Sequence, residues 1–188
     1  MNKNRILVSE LKNFNRINST YLSIVLVLVG TLLLAISAKV QVPFWPVPMT
    51  MQTFVVFLIG ATYSVRLSFV TLAVYLFEGA LGLPVFASGG GIAYLLGPTA
   101  GYLYGMLFAS VAISYFANLG FSRTYFKAAF SLIVGSIIIF SFGIIYLGSI
   151  IGFQKAIAAG LLPFIPSELF KIALAVALIP TIQKIIKK

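Results

Sequence analysis

Apolar runs of about 20 residues recur along the chain, and they constrain its fold more than any other feature. Of its 188 residues, 61% are hydrophobic and only 9% are charged, which gives a mean hydropathy of +1.09. Soluble domains carry about 25% charged residues. We therefore predict an all-α, polytopic membrane protein that forms one membrane domain.

Six apolar segments are predicted to cross the membrane as helices. The segment from Met49 to Leu83 is too long for one crossing, since a helix of that length would run about 52 Å against a hydrocarbon core of about 30 Å. Arg66 lies in its middle, where a charge is costly. We therefore predict a turn at Arg66. The predicted spans are about 20–38, 50–64, 67–83, 95–117, 128–150 and 166–182, with Pro- and Gly-rich loops at 39–49 and 82–98.

The basic residues predict the orientation of these spans. With the N-terminus in the cytoplasm, ten basic residues fall inside and two outside, which is the bias expected for membrane proteins. Both termini are then cytoplasmic, and residues 1–19 form a basic segment that precedes the membrane domain, 20–188. The net charge of +10 is accordingly attributed to cytoplasmic segments and not to a nucleic-acid-binding surface. The inside group is Lys3, Arg5, Lys12, Arg16, Arg66, Arg123, Lys127, Lys184, Lys187 and Lys188; the outside pair is Lys39 and Lys155.

Polar side chains gather in the outer halves of the predicted spans. They are Thr50, Gln52, Thr53, Glu78, Tyr102, Glu168 and Lys171. Polar groups within membrane spans face the protein interior or a cavity, because exposure to lipid is expensive. We therefore predict one polar pocket that opens to the outside.

Glu168 and Lys171 lie three residues apart, so a helix places them on one face within reach of each other. They could form an ion pair that only anchors the helix start, where a glutamate suits the helix dipole and a lysine can reach the interface. Alternatively they bind a small ligand, because a carboxylate accepts N–H donors and an ammonium donates to an oxygen. Such a ligand would carry both N–H groups and an oxygen acceptor.

Small residues repeat every four positions in the fourth span, at Gly97, Gly101, Gly105 and Ala109. This spacing lets another helix approach closely. We interpret it mainly as internal packing, which would hold Tyr102 rigidly beside the pocket.

Two features near the N-terminal span leave alternatives open. Thr31 and Ala35, with Ala38 close by, form a stripe that is either internal packing or a docking face for another membrane protein. Trp45, in the first loop, is either a lid residue or an anchor at the membrane interface.

Enzyme chemistry is not expected. The chain has no histidine and no cysteine, and it lacks the G-x-x-x-x-G-K-[ST] motif of nucleotide hydrolysis. An intramembrane enzyme would need a dyad such as Ser167 with Lys171, which is a weak alternative. We predict a binding protein with no cofactor and no metal site, which either borrows energy from a partner or moves its ligand passively.

Four motifs, in order and spacing, resemble the BioY family, the biotin-specific substrate-binding (S) component of energy-coupling factor (ECF) transporters. They are "PVPMTMQTFVV" (46–56), "EGALGLPVFASGGG" (78–91), "GPTAGYLYG" (97–105) and "LPFIPSELFK" (162–171). The resemblance covers about residues 31–180. It implies an S-component bundle of six helices that captures biotin outside the cell membrane of a bacterium, among membrane lipid. It also implies a transmembrane coupling protein and two ABC-type ATPases as partners. The alternative is a stand-alone carrier for biotin or another small vitamin.

The resemblance also assigns ligand contacts to Glu168, Lys171 and Tyr102. The usual last motif of the family reads P-G-D, whereas this chain has Pro166, Ser167 and Glu168, with an acid one methylene longer. Biotin has a ureido ring with two N–H groups and a carbonyl. Glu168 is expected to accept the N–H groups, and Lys171 to bind the carbonyl or, as a lesser alternative, the valerate carboxylate.

Three more residues are candidates for the substrate site. They are Gln52, Trp45 and Glu78. Glu78 would either orient Lys171 or cap the third predicted span, in which Glu78 itself lies. The resemblance assigns the docking alanines of the family to Thr31 and Ala35.

Overall fold

The computed structural model describes residues 19–186, and it gives the side-chain surroundings of residues 20–181. Apart from Ser19, the predicted basic segment 1–19 lies outside the described residues. The helices are α1 (Ser19–Lys39), α2 (Gln52–Thr62), α3 (Val65–Ala80), α4 (Ile92–Leu95), α5 (Ala100–Asn118), α6 (Tyr125–Ile151), α7 (Phe153–Gly160) and α8 (Ile165–Ile186). Two short strands, β1 (Gln41–Val42) and β2 (Met49–Thr50), pair in antiparallel fashion, and 3-10 turns occupy Phe121–Arg123 and Leu162–Phe164.

Each predicted span contains a helix, and the all-α membrane class is confirmed. Within residues 19–186, four stretches are long and apolar enough to cross a membrane, at Thr20–Lys39, Ala100–Asn118, Tyr125–Ile151 and Phe153–Thr181. The other two predicted spans correspond to α2 and α3, of 11 and 16 residues, which makes them about 17 and 24 Å long. The count of six crossings stays a prediction.

The turn between α2 and α3 lies at Tyr63 and Ser64, two residues before its predicted place. Ser64 has extended backbone, and its hydroxyl accepts a hydrogen bond from the Leu67 amide at 3.3 Å, which caps α3. The Tyr63 hydroxyl donates to the Leu26 carbonyl at 2.8 Å and so ties the turn to α1. Arg66 therefore lies in the first turn of α3, where it is exposed.

The contact between α5 and α6 depends on glycine. A Cβ at Gly101 would lie 2.5 Å from the Phe142 carbonyl oxygen, and one at Gly105 would lie 2.9 Å from the Ile139 Cα. Any larger residue would push the helices apart, so the packing interpretation of this stripe is confirmed at these two positions. Gly97 differs, because it precedes α5 and a Cβ there meets only carbonyls of α4 at 3.4 Å or more.

The two predicted loops on the outer side form an ordered cover over the helix ends. The Lys39 Nζ donates to the Phe86 carbonyl at 2.6 Å, and the side-chain Nε2 of Gln41 donates to the Ala87 carbonyl at 3.3 Å. The Phe86 ring is fully buried and meets the Tyr75 ring edge to face at 5.4 Å. The β1–β2 hairpin is thus joined to the segment between α3 and α4.

Candidate ligand-binding site

A small, partly open cavity lies beneath the hairpin, where α2, α5, α6 and α8 meet. Its water-accessible volume is about 40 Å³, within about 490 Å³ of unfilled space that includes open solvent. Its lining residues are Val47, Pro48, Thr50, Gln52, Thr53, Ala87, Tyr94, Thr99, Tyr102, Leu103, Met106, Ile139, Phe140, Phe164, Glu168 and Lys171. The structure thus brings together four of the six predicted substrate residues.

Glu168 and Lys171 form a buried ion pair on the first turns of α8. The Lys171 Nζ lies 2.6 Å from the Glu168 Oε2, and the two residues are 3% and 4% exposed. Helix spacing explains the contact, because residues three apart share a face. Burial explains why neither charge can stand alone, since an unpaired ion in the interior is strongly disfavoured.

Two hydroxyl groups from other helices form hydrogen bonds with the pair. Thr53, on α2, donates to the Glu168 Oε2 at 2.9 Å, and Ser136, on α6, donates to the Glu168 Oε1 at 2.9 Å. The Thr53 hydroxyl also accepts from the Lys171 Nζ at 2.7 Å. The pair therefore joins α2, α6 and α8 at one point.

The hydrogen-bonding capacity of the two charges is almost used up. Lys171 has three N–H donors, and they reach Glu168, Thr53 and the Thr50 carbonyl, the last at 3.2 Å. A carboxylate accepts about four bonds. Within the described part of the chain, Glu168 accepts two bonds at Oε2 and one at Oε1. One position at Oε1 can take a further donor.

Aromatic rings form another part of the cavity wall. The Tyr102 ring stacks on Phe164 at 6.5 Å and meets Phe140 edge to face at 6.2 Å. The Tyr102 hydroxyl donates to the Gly160 carbonyl at 2.9 Å. Tyr102 thus offers the cavity its ring and not its hydroxyl, which is already bonded.

Gly143 makes room for the Tyr102 ring. A Cβ at position 143 would lie 2.3 Å from a ring carbon of Tyr102, far inside contact distance. The glycine on α6 is therefore part of what positions this wall.

Gln52 lines the cavity, but its amide also has a structural role. Its Nε2 donates to the Tyr75 hydroxyl at 2.6 Å, and Tyr75 in turn donates to the Val85 carbonyl at 2.9 Å. Its Oε1 accepts from Thr50 at 3.1 Å. Gln52 thereby links the start of α2 to α3 and to the outer cover.

Glu78 does not join this cluster. It is absent from the cavity lining, and its Oε1 accepts a hydrogen bond from the Thr31 hydroxyl at 3.2 Å. The predicted contact with Lys171 is therefore not present, because the carboxylate on α3 faces α1.

Trp45 lies at the tip of the hairpin and is 85% exposed. Its neighbours Val47 and Pro48 line the cavity, whereas Trp45 does not. The Phe44 ring packs 6.2 Å from Phe164. The hairpin covers the cavity through these neighbours, and a lid role for Trp45 itself stays a prediction.

The predicted docking stripe of α1 is mostly buried. Thr31 and Ala38 are 3% and 0% exposed, and Ala35 is half-buried. Thr31 faces α3 through its bond to Glu78, and the close approach of Gly30 to Thr71 adds to this contact. The burial of Thr31 and Ala38 favours internal packing for these two residues, and docking through the half-buried Ala35 stays a prediction.

Sequence reasoning missed Ser136, Phe140 and Phe164 as site residues. Ser136 is the one polar residue in the run "IVGSIIIF", 133–140, and that isolation was a usable signal. The two phenylalanines carried no such signal, because the chain has 17 of them.

The sequence pattern that defines the BioY family matches residues 9–188. The chain belongs to the BioY family. The match begins at residue 9, within the basic N-terminal segment 1–19. The resemblance read from the four motifs did not include this segment.

Curated members of the family agree with this assignment. The "Probable biotin transporter BioY" of Rickettsia prowazekii (strain Madrid E) is 36% identical over 172 residues, which cover 91% of this chain and 88% of that protein. The "Biotin transporter BioY" of Thermotoga maritima is 34% identical over 157 residues, covering 82% and 92%. These relatives are named as transporters and not as enzymes, which agrees with the prediction of a non-enzyme.

A solved structure has the same fold. It is described as the "S-component for biotin from an ECF-type ABC transporter", and it aligns with a TM-score of 0.79 over 90% of this chain and 95% of its own, at 24% identity. The S-component type of bundle is therefore confirmed for this multi-pass membrane protein.

Proposed function

We propose that this BioY-family chain captures biotin with high affinity at the outer face of the membrane, as the substrate-binding subunit of an ECF-type transporter. One observation carries the proposal, which is the buried Glu168–Lys171 pair on the wall of a cavity. Named relatives that transport biotin support it.

The chemistry of the pair suits a ureido ring. The free acceptor position at the Glu168 Oε1 can take one N–H group of biotin. Lys171 can donate to the ureido carbonyl only if it releases one of its present acceptors. Its longest bond, at 3.2 Å to the Thr50 carbonyl, is the one we expect it to exchange.

The cavity must widen to accept the ligand. Pockets for small molecules hold about 300–1,000 Å³, whereas the water-accessible space here is about 40 Å³. The ceiling comes from the hairpin and from Ala87, next to Phe86. We propose that this cover moves outward when biotin enters.

Energy is proposed to come from other subunits, namely a transmembrane coupling protein and two ABC-type ATPases. The similarity to a protein described as an S component supports this assembly over a stand-alone carrier. The absence of a nucleotide-hydrolysis motif from the sequence is consistent with it.

Binding of labelled biotin to the purified full chain tests the proposal. We expect saturable binding that unlabelled biotin competes away and that an unrelated vitamin, such as thiamine, does not. Equal competition by both, or no binding by a folded sample, would contradict it.

A further inference from the structure

A second site-like feature lies between α1 and α3, at their predicted cytoplasmic ends. It is a groove of about 610 Å³ that runs from Thr20 to Leu28 along α1 and from Ser64 to Val74 along α3. Nine residues of helix rise about 12 Å, so the groove spans roughly the inner leaflet. It lies far from the biotin cavity and shares no lining residue with it.

Close helix contacts bound the groove toward the membrane centre. A Cβ at Gly30 would lie 2.6 Å from the Thr71 methyl group, so the two helices touch there. The bond from the Tyr63 hydroxyl to the Leu26 carbonyl also ties the α2–α3 turn to α1. The groove therefore ends where the two helices touch, toward the membrane centre.

The groove is polar at one end and apolar at the other. The cytoplasmic end carries the exposed Arg66 guanidinium with the hydroxyls of Ser64 and Thr20. Toward the membrane centre its walls are aliphatic, and Ile24 and Leu28 are more than half exposed there. This order of polarity matches that of a phospholipid in the inner leaflet, with the phosphate outermost and the chain deeper.

We propose that this groove is a binding site for an anionic phospholipid. Arg66 would hold the headgroup phosphate through two parallel N–H donors, with the Ser64 and Thr20 hydroxyls beside it. One acyl chain would lie along Ile24, Leu28 and Val70. The charge of the groove selects the ligand, since Arg66 is the single charged residue that lines it within the described residues 20–181, and it is positive. Basic pockets between helices on the cytoplasmic side are known to favour such lipids.

The site can be tested with a tryptophan reporter and brominated lipids. Val70→Trp in a Trp45→Phe background places the only indole in the groove. Phe130→Trp in the same background is the matched control, because Phe130 is equally deep in α6 by residue count and is 50% exposed. Both proteins are placed in nanodiscs of equal phosphatidylcholine and phosphatidylglycerol, with bromine on the chains of one lipid at a time.

We expect brominated phosphatidylglycerol to quench the Val70→Trp reporter more than brominated phosphatidylcholine, and the Phe130→Trp reporter to show no preference. Adding Arg66→Gln should reduce the apparent preference about fivefold, the contribution of one basic residue near a membrane. Arg123→Gln, which removes another predicted cytoplasmic arginine, should leave it unchanged. Millimolar inorganic phosphate should not compete, because it lacks an acyl chain.

Two outcomes would overturn the proposal. One is equal quenching by the two lipids at Val70→Trp. The other is a preference that Arg123→Gln removes as fully as Arg66→Gln, which would reflect overall charge and no site. If Val70→Trp blocked co-purification with an ATPase module while lipid preference was absent, the groove would be a protein contact instead.

Discussion

The Lys171 Nζ lies 2.6 Å from the Glu168 Oε2, one helical turn earlier on α8, and both residues are almost fully enclosed. A pair that only anchored the helix start would gain nothing from this burial, because desolvating two ions costs more than their attraction commonly returns. Here the pair also contacts hydroxyls from α2 and α6 and borders a cavity. A ligand-binding role accounts for all three facts.

The ligand role of the pair can be separated from its structural role. Glu168→Gln or Lys171→Met alone should reduce biotin affinity at least tenfold and lower the thermal midpoint, because each leaves a buried charge unpaired. The double variant should recover the thermal midpoint, since no charge remains. Its biotin affinity should remain roughly a hundredfold or more below that of the wild type, because two charge-assisted bonds are lost. Calorimetry with thermal unfolding of the same samples measures both quantities, and a double variant that binds like the wild type would refute the ligand role.

The hydroxyl of Ser136 is predicted to orient Glu168 toward the ligand. Ser136→Ala should weaken biotin binding about tenfold, because a hydrogen bond to a charged group contributes about 1.5–3 kcal/mol. Ser131→Ala is the matched control on the same helix, since the Ser131 hydroxyl donates to the Ala128 carbonyl one turn away and, among the described residues, to no other group. Equal losses in the two variants, measured by calorimetry, would point to a general effect on α6.

Lys39 is predicted to act as a latch for the outer cover. Its Nζ donates to the Phe86 carbonyl at 2.6 Å, so Lys39→Met should release the segment whose Ala87 lines the cavity. We expect both the association and the dissociation of biotin to speed up, the latter about tenfold, from the loss of a charge-assisted bond. Stopped-flow kinetics measure the rates. Lys155→Met, another predicted outer lysine, should not change them.

The Tyr102 wall is predicted to depend on Gly143. Gly143→Ala would place a methyl group 2.3 Å from the ring in its present position, so the ring should move into the cavity. We expect a loss of at least tenfold in biotin affinity, measured by competition with labelled biotin. Gly97→Ala is the control, because its nearest atoms lie at 3.4 Å, an ordinary contact distance.

The helices and the ion pair were predictable because each depends on local sequence. Apolar run length predicts a membrane helix, and a spacing of three predicts that Glu168 and Lys171 meet. The resemblance to the BioY family supplied the ligand, which the residues alone described only as a small molecule with N–H donors and an acceptor.

The remaining features depend on tertiary contacts that sequence spacing does not encode. One of two alternatives placed Glu78 beside Lys171, yet its carboxylate accepts a hydrogen bond from Thr31 on α1. The Thr31, Ala35 and Ala38 stripe could face either way, and the rotation of α1 against α3 buried Thr31 and Ala38. The contact of Ser136 with Glu168 joins residues 32 positions apart, so it required the packing of α6 on α8.

Calorimetric titration of biotin into the purified chain, comparing Glu168→Gln with Glu78→Gln, tests the central claim most directly. Both substitutions remove one negative charge near the outer side of the protein, but only Glu168 lines the cavity. The wild type and Glu78→Gln should bind biotin with similar affinity, and Glu168→Gln should bind at least tenfold more weakly. A folded Glu168→Gln protein with wild-type affinity would contradict the assignment of this cavity as the biotin site.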